Sequence, residues 1–264
     1  MEKKRPSTKP YVLSVGALDA TGCSGLVADW NVLRKFGARP LVVASSVIIA
    51  GHDPEPVDAA LLRRQLHATL AAGNIRTVKT GLLLTRDNIE VVANLLEEPS
   101  HGVTAVVVDL SVENEDELTV LSNAAVSLLK MRLLGLAKVA VAYLSEAERI
   151  SGQPVRDIDG MKEAARALQM FGAEQVLIRA DRVVDDEWLD ILYDGREHQF
   201  LFKKGPVPSR YRVRRDVFCS SLCAGIAEGL DTRRAVEIAQ EFELTDAVTR
   251  LTVFTNKAAG TTHS

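Results

Sequence analysis

Short apolar, β-branched runs alternate along most of the chain with longer stretches whose apolar positions recur at helical spacing. The runs predict strands over Tyr11–Gly16, Leu41–Ile49, Arg76–Thr80, Ala105–Asp109, Lys138–Tyr143 and Gln175–Arg179. The stretches between them predict helices over Ser24–Phe36, Val57–Ala72, Asp87–Glu97, Glu117–Leu134 and Gly160–Phe171. A run such as Val103–Asp109 is apolar on both faces, as a strand buried inside a parallel sheet must be. Strand and helix in strict alternation imply right-handed crossovers, and so an α/β fold: a central, mostly parallel sheet with helices on both faces. Residues 190–202 differ, because two short runs flank Gly195-Arg196 and predict a hairpin of antiparallel strands at one sheet edge. Beyond a basic linker, Arg210–Arg215, two closing helices are predicted over Cys219–Gly229 and Thr232–Thr252. With no repeat and no long Pro/Gly-rich linker, a single domain over residues 1–264 is expected, frayed at 1–10 and 256–264.

Composition narrows the function classes. The net charge of −3 and pI of about 6.0 provide no basic field, so nucleic acid is not an expected partner. Three cysteines, Cys23, Cys219 and Cys223, contain no Cys-x-x-Cys pair and fit neither a disulfide framework nor a zinc site. No apolar run reaches the roughly 18 residues of a membrane span. The polar, basic stretch Met1–Pro10 leads straight into the first strand without the apolar run of a signal peptide, so a cytoplasmic protein is expected.

In such sheets ligands collect at the carboxyl ends of the strands, which directs attention to three loops. Gly16–Gly25 opens the first helix with small residues, either as a tight turn or as a cradle of free N–H groups for an anion. It matches neither Gly-x-Gly-x-x-Gly nor a P-loop, which argues against a dinucleotide oxidoreductase. Arg214–Cys223 feeds the first closing helix, where Cys219 is either a thiol activated by the helix terminus or a packing residue beside Cys223. Tyr143–Glu148 and Asp109 place carboxylates at strand ends, as helix-dipole partners or as ligands to Mg²⁺ and its waters.

Taken together, these segments resemble the hydroxymethylpyrimidine/phosphomethylpyrimidine kinases of thiamine synthesis, within the ribokinase-like superfamily. The resemblance is carried by Asp19-Ala-Thr-Gly-Cys-Ser-Gly-Leu-Val-Ala-Asp29, Val78-Lys-Thr-Gly-Leu-Leu83, Val106-Val-Val-Asp109, Leu144-Ser-Glu-Ala-Glu148, the run Ala164–Ala173 and Leu189–Gly195. It implies a ribokinase-like fold, ATP and Mg²⁺ as cofactors, a small-molecule pyrimidine alcohol as ligand, and a homodimer. It further implies Cys219 as the catalytic position, Asp19, Gly25, Ala50 and Leu82 toward the substrate, Lys79, Arg179 and Asp216 toward the nucleotide, and Asp109 and Glu146 toward the metal.

The chain departs from that pattern at its chemistry. Where the family carries Gly-Thr-Gly-Cys, whose N–H groups hold the transferred phosphate, this chain has Asp216-Val-Phe-Cys219. The family's pyrimidine-reading glutamine is Ala50, its asparagine ahead of Leu-x-Glu-Ala-Glu is Tyr143, and its Lys-Gly-Gly-His run is Arg179-Ala-Asp-Arg182. The flexible stretch after the family's Asp-Pro-Val-Met motif is reduced to Glu113–Glu117. Phosphoryl transfer rests on positioned donors more than on covalent chemistry, so these losses predict an impaired kinase. The alternative they raise is an inactive ligand-binding or regulatory homologue.

Overall fold

The computed structural model describes residues 9–49, 52–71, 74–112, 121–185, 187–203 and 215–259. Ala50, the Glu113–Glu117 stretch and Arg210–Arg214 lie outside them. The strands are β1 (Tyr11–Asp19), β2 (Arg39–Ile48), β3 (Glu55–Pro56), β4 (Ile75–Thr80), β5 (Ala105–Asp109), β6 (Val139–Tyr143), β7 (Gln175–Arg179), β8 (Leu189–Tyr193) and β9 (His198–Phe202). The helices are α1 (Gly25–Lys35), α2 (Ala59–Leu70), α3 (Arg86–Glu97), α4 (Asn123–Arg132), α5 (Leu144–Ser151), α6 (Ile158–Gln169), α7 (Arg215–Ala227) and α8 (Thr232–Ala259).

The strands form one sheet in the order β3-β2-β1-β4-β5-β6-β7-β8-β9. Pairs from β2 through β7 are parallel, while β3, β8 and β9 join antiparallel at the two edges. Alternation along the strands divides the apolar residues between two cores. Val106, Val108, Ala140, Ala142, Val176 and Ile178 face the layer of α2 to α6. Val107, Val139, Val141 and Leu177 face α1, α7 and α8. The expected double winding is therefore present, and the hairpin sits at the expected edge.

Side-chain caps set several helix starts: Asp58, Thr85, Ser122 and Asp157 each accept hydrogen bonds from backbone N–H groups in the first turn of the helix that follows. Several boundaries correct the expectation: helix α5 (Leu144–Ser151) lies outside the predicted helical stretches, and α8 runs to Ala259, past Thr252 and into the tail expected to fray. Strand β1 continues to Asp19, past a register irregularity at Gly16/Ala17, because β2 pairs with it as far as Ile48. Helix α7 begins at Arg215 and not at Cys219, so the end of the basic linker and the four positions Asp216–Cys219 are helical. Among the described residues no helix is long and apolar enough to cross a membrane.

The two-sided packing predicts that Leu13→Ala, fully buried in β1, lowers unfolding free energy by about 2–5 kcal/mol in urea titration. Met131→Ser, at a side chain 65% exposed, should change it by less than about 0.5 kcal/mol. Equal effects would contradict the assignment of β1 to the core.

Candidate functional site

All the described residues singled out from the sequence lie at the carboxyl end of the sheet. Asp19 and Gly25 bracket the β1–α1 loop, Lys79 and Leu82 stand at and beyond the end of β4, and Asp109 closes β5. Glu146 is in the first turn of α5, Arg179 ends β7, and Asp216 and Cys219 belong to α7. Lys79 pairs in register with Ser14 and Val107, so it shares the sheet face that α7 covers. Alternation puts Asp109, Tyr143 and Arg179 on that same face of β5, β6 and β7. A row of polar groups thus runs across the sheet beneath one helix.

The row is paired in three groups. In the first, the fully buried Lys79 donates to both oxygens of Asp29, at 2.8 and 2.9 Å, and to Asp216 Oδ1 at 3.3 Å. Asp29 also accepts from Ser220 Oγ at 2.6 Å and from Ser14 Oγ. Burial works against the ammonium, but the Asp29 and Asp216 carboxylates outweigh it and hold Lys79 well above the usual lysine range.

The second group centres on Arg215. Its guanidinium donates to Asp109 Oδ1 at 3.4 Å, to Ser111 Oγ at 3.0 Å and to Glu146 Oε1. Glu146 further accepts from the backbone N–H of Val112 at 3.2 Å and of Tyr143 at 3.1 Å, so both its oxygens are engaged. Burial raises its carboxyl to about 7 against the opposing pull of Arg215. Asp109 is raised by burial too, and its Oδ2 has no hydrogen-bond partner.

The third group surrounds Arg179, which is wholly buried. It donates to Asp190 at 3.1 Å, to the Tyr143 hydroxyl at 2.7 Å and to Glu243 at 2.8 Å. Its guanidinium carbon lies 3.4 Å from the centroid of the Phe218 ring. Lys203 completes the charge balance at 3.0 Å from Asp190. The first position of the Arg179–Arg182 run is thus a structural ion here, held away from solvent.

Beside this row, the Asp19 carboxylate closes its own loop. It accepts from the N–H and hydroxyl of Thr21 and the N–H and hydroxyl of Ser24, all between 2.8 and 3.0 Å. Burial opposes its ionisation, but these bonds win and lower its pKa. Gly25 has φ +61, and a Cβ there would stand 2.2 Å from the carbonyl oxygen of Ala17, so only glycine fits. Its N–H points to Asp216 Oδ2 at 2.8 Å. Leu82 contributes its carbonyl, which accepts from Ser45 Oγ at 2.7 Å.

Of the two readings of Cys219, the structure favours the packing residue beside Cys223. Cys219 is fully buried, and burial, reinforced by the Asp109 carboxylate, pushes its thiol well above the usual range. The four-residue advance of the α7 start is the reason, since it moves Cys219 from the helix terminus into the second turn.

Similarity to known proteins falls along this same frame. The description phosphomethylpyrimidine kinase attaches to a family model that matches residues 19–263. The chain belongs to the phosphomethylpyrimidine kinase family. Within the family's relatives, a hydroxymethylpyrimidine/phosphomethylpyrimidine kinase of Streptomyces coelicolor is 29% identical, over 92% of this chain and 90% of its own length. A thiamine biosynthesis bifunctional protein of Geobacter sulfurreducens is 28% identical over 91% of this chain, which spans about half (49%) of that relative. A pyridoxine kinase of Bacillus subtilis is 28% identical over 87% of each. The phosphomethylpyrimidine kinase structure from Clostridium difficile superposes with a TM-score of 0.78 at 21% identity, covering 91% of this chain and all of that one, which establishes the ribokinase-like fold.

A metal ion at this centre would meet Asp109 and Glu146 first. Glu146 Oε1 accepts from Val112 N–H and Arg215 and its Oε2 from Tyr143 N–H, while Asp109 Oδ2 has no partner and the Arg215 cation lies between the two carboxylates. Among the described residues, no group of three His, Cys, Asp or Glu is arranged to hold a metal ion. Between these two carboxylates, the position nearest the unpartnered Asp109 Oδ2 is flanked by the Arg215 cation. Sequence reasoning passed over Asp29 and Arg215 as site residues. Asp29 was visible as a carboxylate between Leu26 and Leu33 on the apolar face of α1. Arg215 lay in the Arg214–Cys223 loop that the sequence singled out, but nothing local pointed to its partners Asp109 and Glu146.

The burial pattern predicts that a disulfide-exchange reagent at pH 8 titrates only Cys23 in the native protein and three thiols in denaturant. Rapid native labelling of Cys219 would refute the sealed α7.

Proposed function

We propose that this chain is a phosphomethylpyrimidine kinase homologue in which ATP-dependent phosphorylation of hydroxymethylpyrimidine or its phosphate is strongly impaired, and which serves as a ligand-binding or regulatory form of that enzyme. The observation that carries the reading is the sealed start of α7. Val217, Phe218 and Cys219 are each no more than 1% exposed, and the Phe218 ring lies against Arg179. A substrate hydroxyl reaches the Cys219 sulfur only if this packing opens, and the thiol it would meet is protonated at neutral pH.

Glycine-rich backbone ahead of the helix would present N–H donors to a transferring phosphoryl group. A helical turn carrying Val217 and Phe218 presents apolar side chains in their place. Replacement of the pyrimidine-reading glutamine by Ala50 removes a hydrogen-bond partner for the ring, which costs affinity and specificity together. A homodimer and a cytoplasmic location accompany this reading by family resemblance.

A working kinase is the second reading, favoured by the intact Gly25 loop and by Lys79, both set in the family's order. An ADP-release assay with ATP, Mg²⁺ and hydroxymethylpyrimidine, its phosphate or pyridoxine separates the two. The expected result is turnover far below 1 s⁻¹ on each substrate, alongside thermal stabilisation by an unphosphorylated alcohol. Turnover of about 1 s⁻¹ or more, within the ordinary enzyme range, would sink the impaired reading.

A further inference from the structure

Two adjacent residues at the start of α7 occupy the charged positions of the centre. The Asp216 carboxylate spans Gly25 N–H at 2.8 Å and Lys79 Nζ at 3.3 Å. Gly25 is the first residue of the eleven-residue helix α1, so its N–H lies at the positive end of a helix dipole. A helix amino terminus and a buried ammonium converging on one carboxylate form an oxyanion site whose anion is supplied by the protein. Lys79 and Gly25 N–H hold the Asp216 carboxyl below the usual range despite its burial. One residue earlier, the Arg215 guanidinium bridges Asp109 and Glu146, where the carboxylates of β5 and α5 converge and Asp109 Oδ2 is left unpartnered.

We propose that Arg215 and Asp216 are an internal occupant of the centre, the carboxylate filling the place of a ligand's phosphate and the guanidinium that of its counter-cation. The unmodified protein therefore takes uncharged ligands and rejects free phosphate and phosphate-bearing ones. This rests on the reading of the centre as impaired and supplies its electrostatic cause. An anion approaching Gly25 meets a carboxylate already hydrogen-bonded there, and a divalent ion approaching Asp109 meets a fixed positive charge. Displacing either leaves a partly buried ion without its partner, which is the costly outcome in such a site.

Calorimetry with inorganic phosphate in metal-free buffer tests the anion half. The wild-type protein should show no saturable heat, and Asp216→Gly should bind phosphate at least about tenfold more tightly, through the freed Gly25 N–H and Lys79. Electron spin resonance of Mn²⁺ tests the cation half, with uptake by Arg215→Ala and none by wild type. If Asp216→Gly does not fold, judged by circular dichroism, Asp216→Ser clears the same space and carries the same expectation. Equal phosphate affinity in wild type and variant overturns the occupant, and so does absence of binding in both. These titrations require no turnover. Wild-type turnover in the ADP-release assay would overturn the functional reading, whereas the phosphate result decides the occupant.

Discussion

Burying charge beneath α7 is the constraint on which the rest of this structure depends. Lys79, Arg179, Asp29, Asp109, Asp190, Glu146 and Glu243 are all within 2% of complete burial, and each is paired with an opposite charge from another element. Lys79 of β4 answers Asp29 of α1 and Asp216 of α7, while Arg215 of α7 answers Asp109 of β5 and Glu146 of α5. Arg179 of β7 answers Asp190 of β8 and Glu243 of α8. Removing one partner of such a pair costs about 3–5 kcal/mol, a large part of the 5–15 kcal/mol that holds an ordinary domain folded. Intact pairs add little net stability, because desolvation consumes most of the Coulombic gain. Their effect is positional: the placement of α7 brings Asp216 to Lys79 and Arg215 to Asp109 and Glu146.

That placement also explains what could be read from the sequence. The strands and the double winding were legible because strand periodicity and helix periodicity differ, and caps such as Thr85 and Asp157 mark helix starts locally. The start of α7 was not legible. Its determinants, Asp109 and Glu146, lie 106 and 69 residues away from Arg215 in the chain, and no window of local sequence reports them. The choice between the two readings of Cys219 was open in the sequence for the same reason. A thiol at a helix terminus is acidified, but with the helix begun one turn earlier, burial decides its pKa instead. The Asp19 and Gly25 loop, by contrast, was recognisable from small residues, and its geometry shows why. The Asp19 carboxylate gathers four donors, and Gly25 passes so close to the Ala17 carbonyl that no side chain fits.

The charges of the centre balance one another within the family frame. Lys79, Asp109 and Glu146 belong to the resemblance, and all three are buried charges. A buried ammonium facing Gly25 with only Asp29 beside it, and two carboxylates sharing one corner with no cation, would each strain the fold. Asp216 brings one negative charge to the first place, and Arg215 brings one positive charge to the second. The adjacent pair adds no net charge to the protein, while each member meets a need that the other would worsen: an arginine set against Lys79, or an aspartate set against Asp109 and Glu146, would add like-charge repulsion to burial. Helical geometry reinforces the arrangement. Successive residues of a helix point about 100° apart, so two neighbours at the start of α7 can reach two separate corners of the centre without bending the backbone. Asp216 and Arg215, adjacent at the start of α7, thus neutralise two separate corners of the centre with opposite charges.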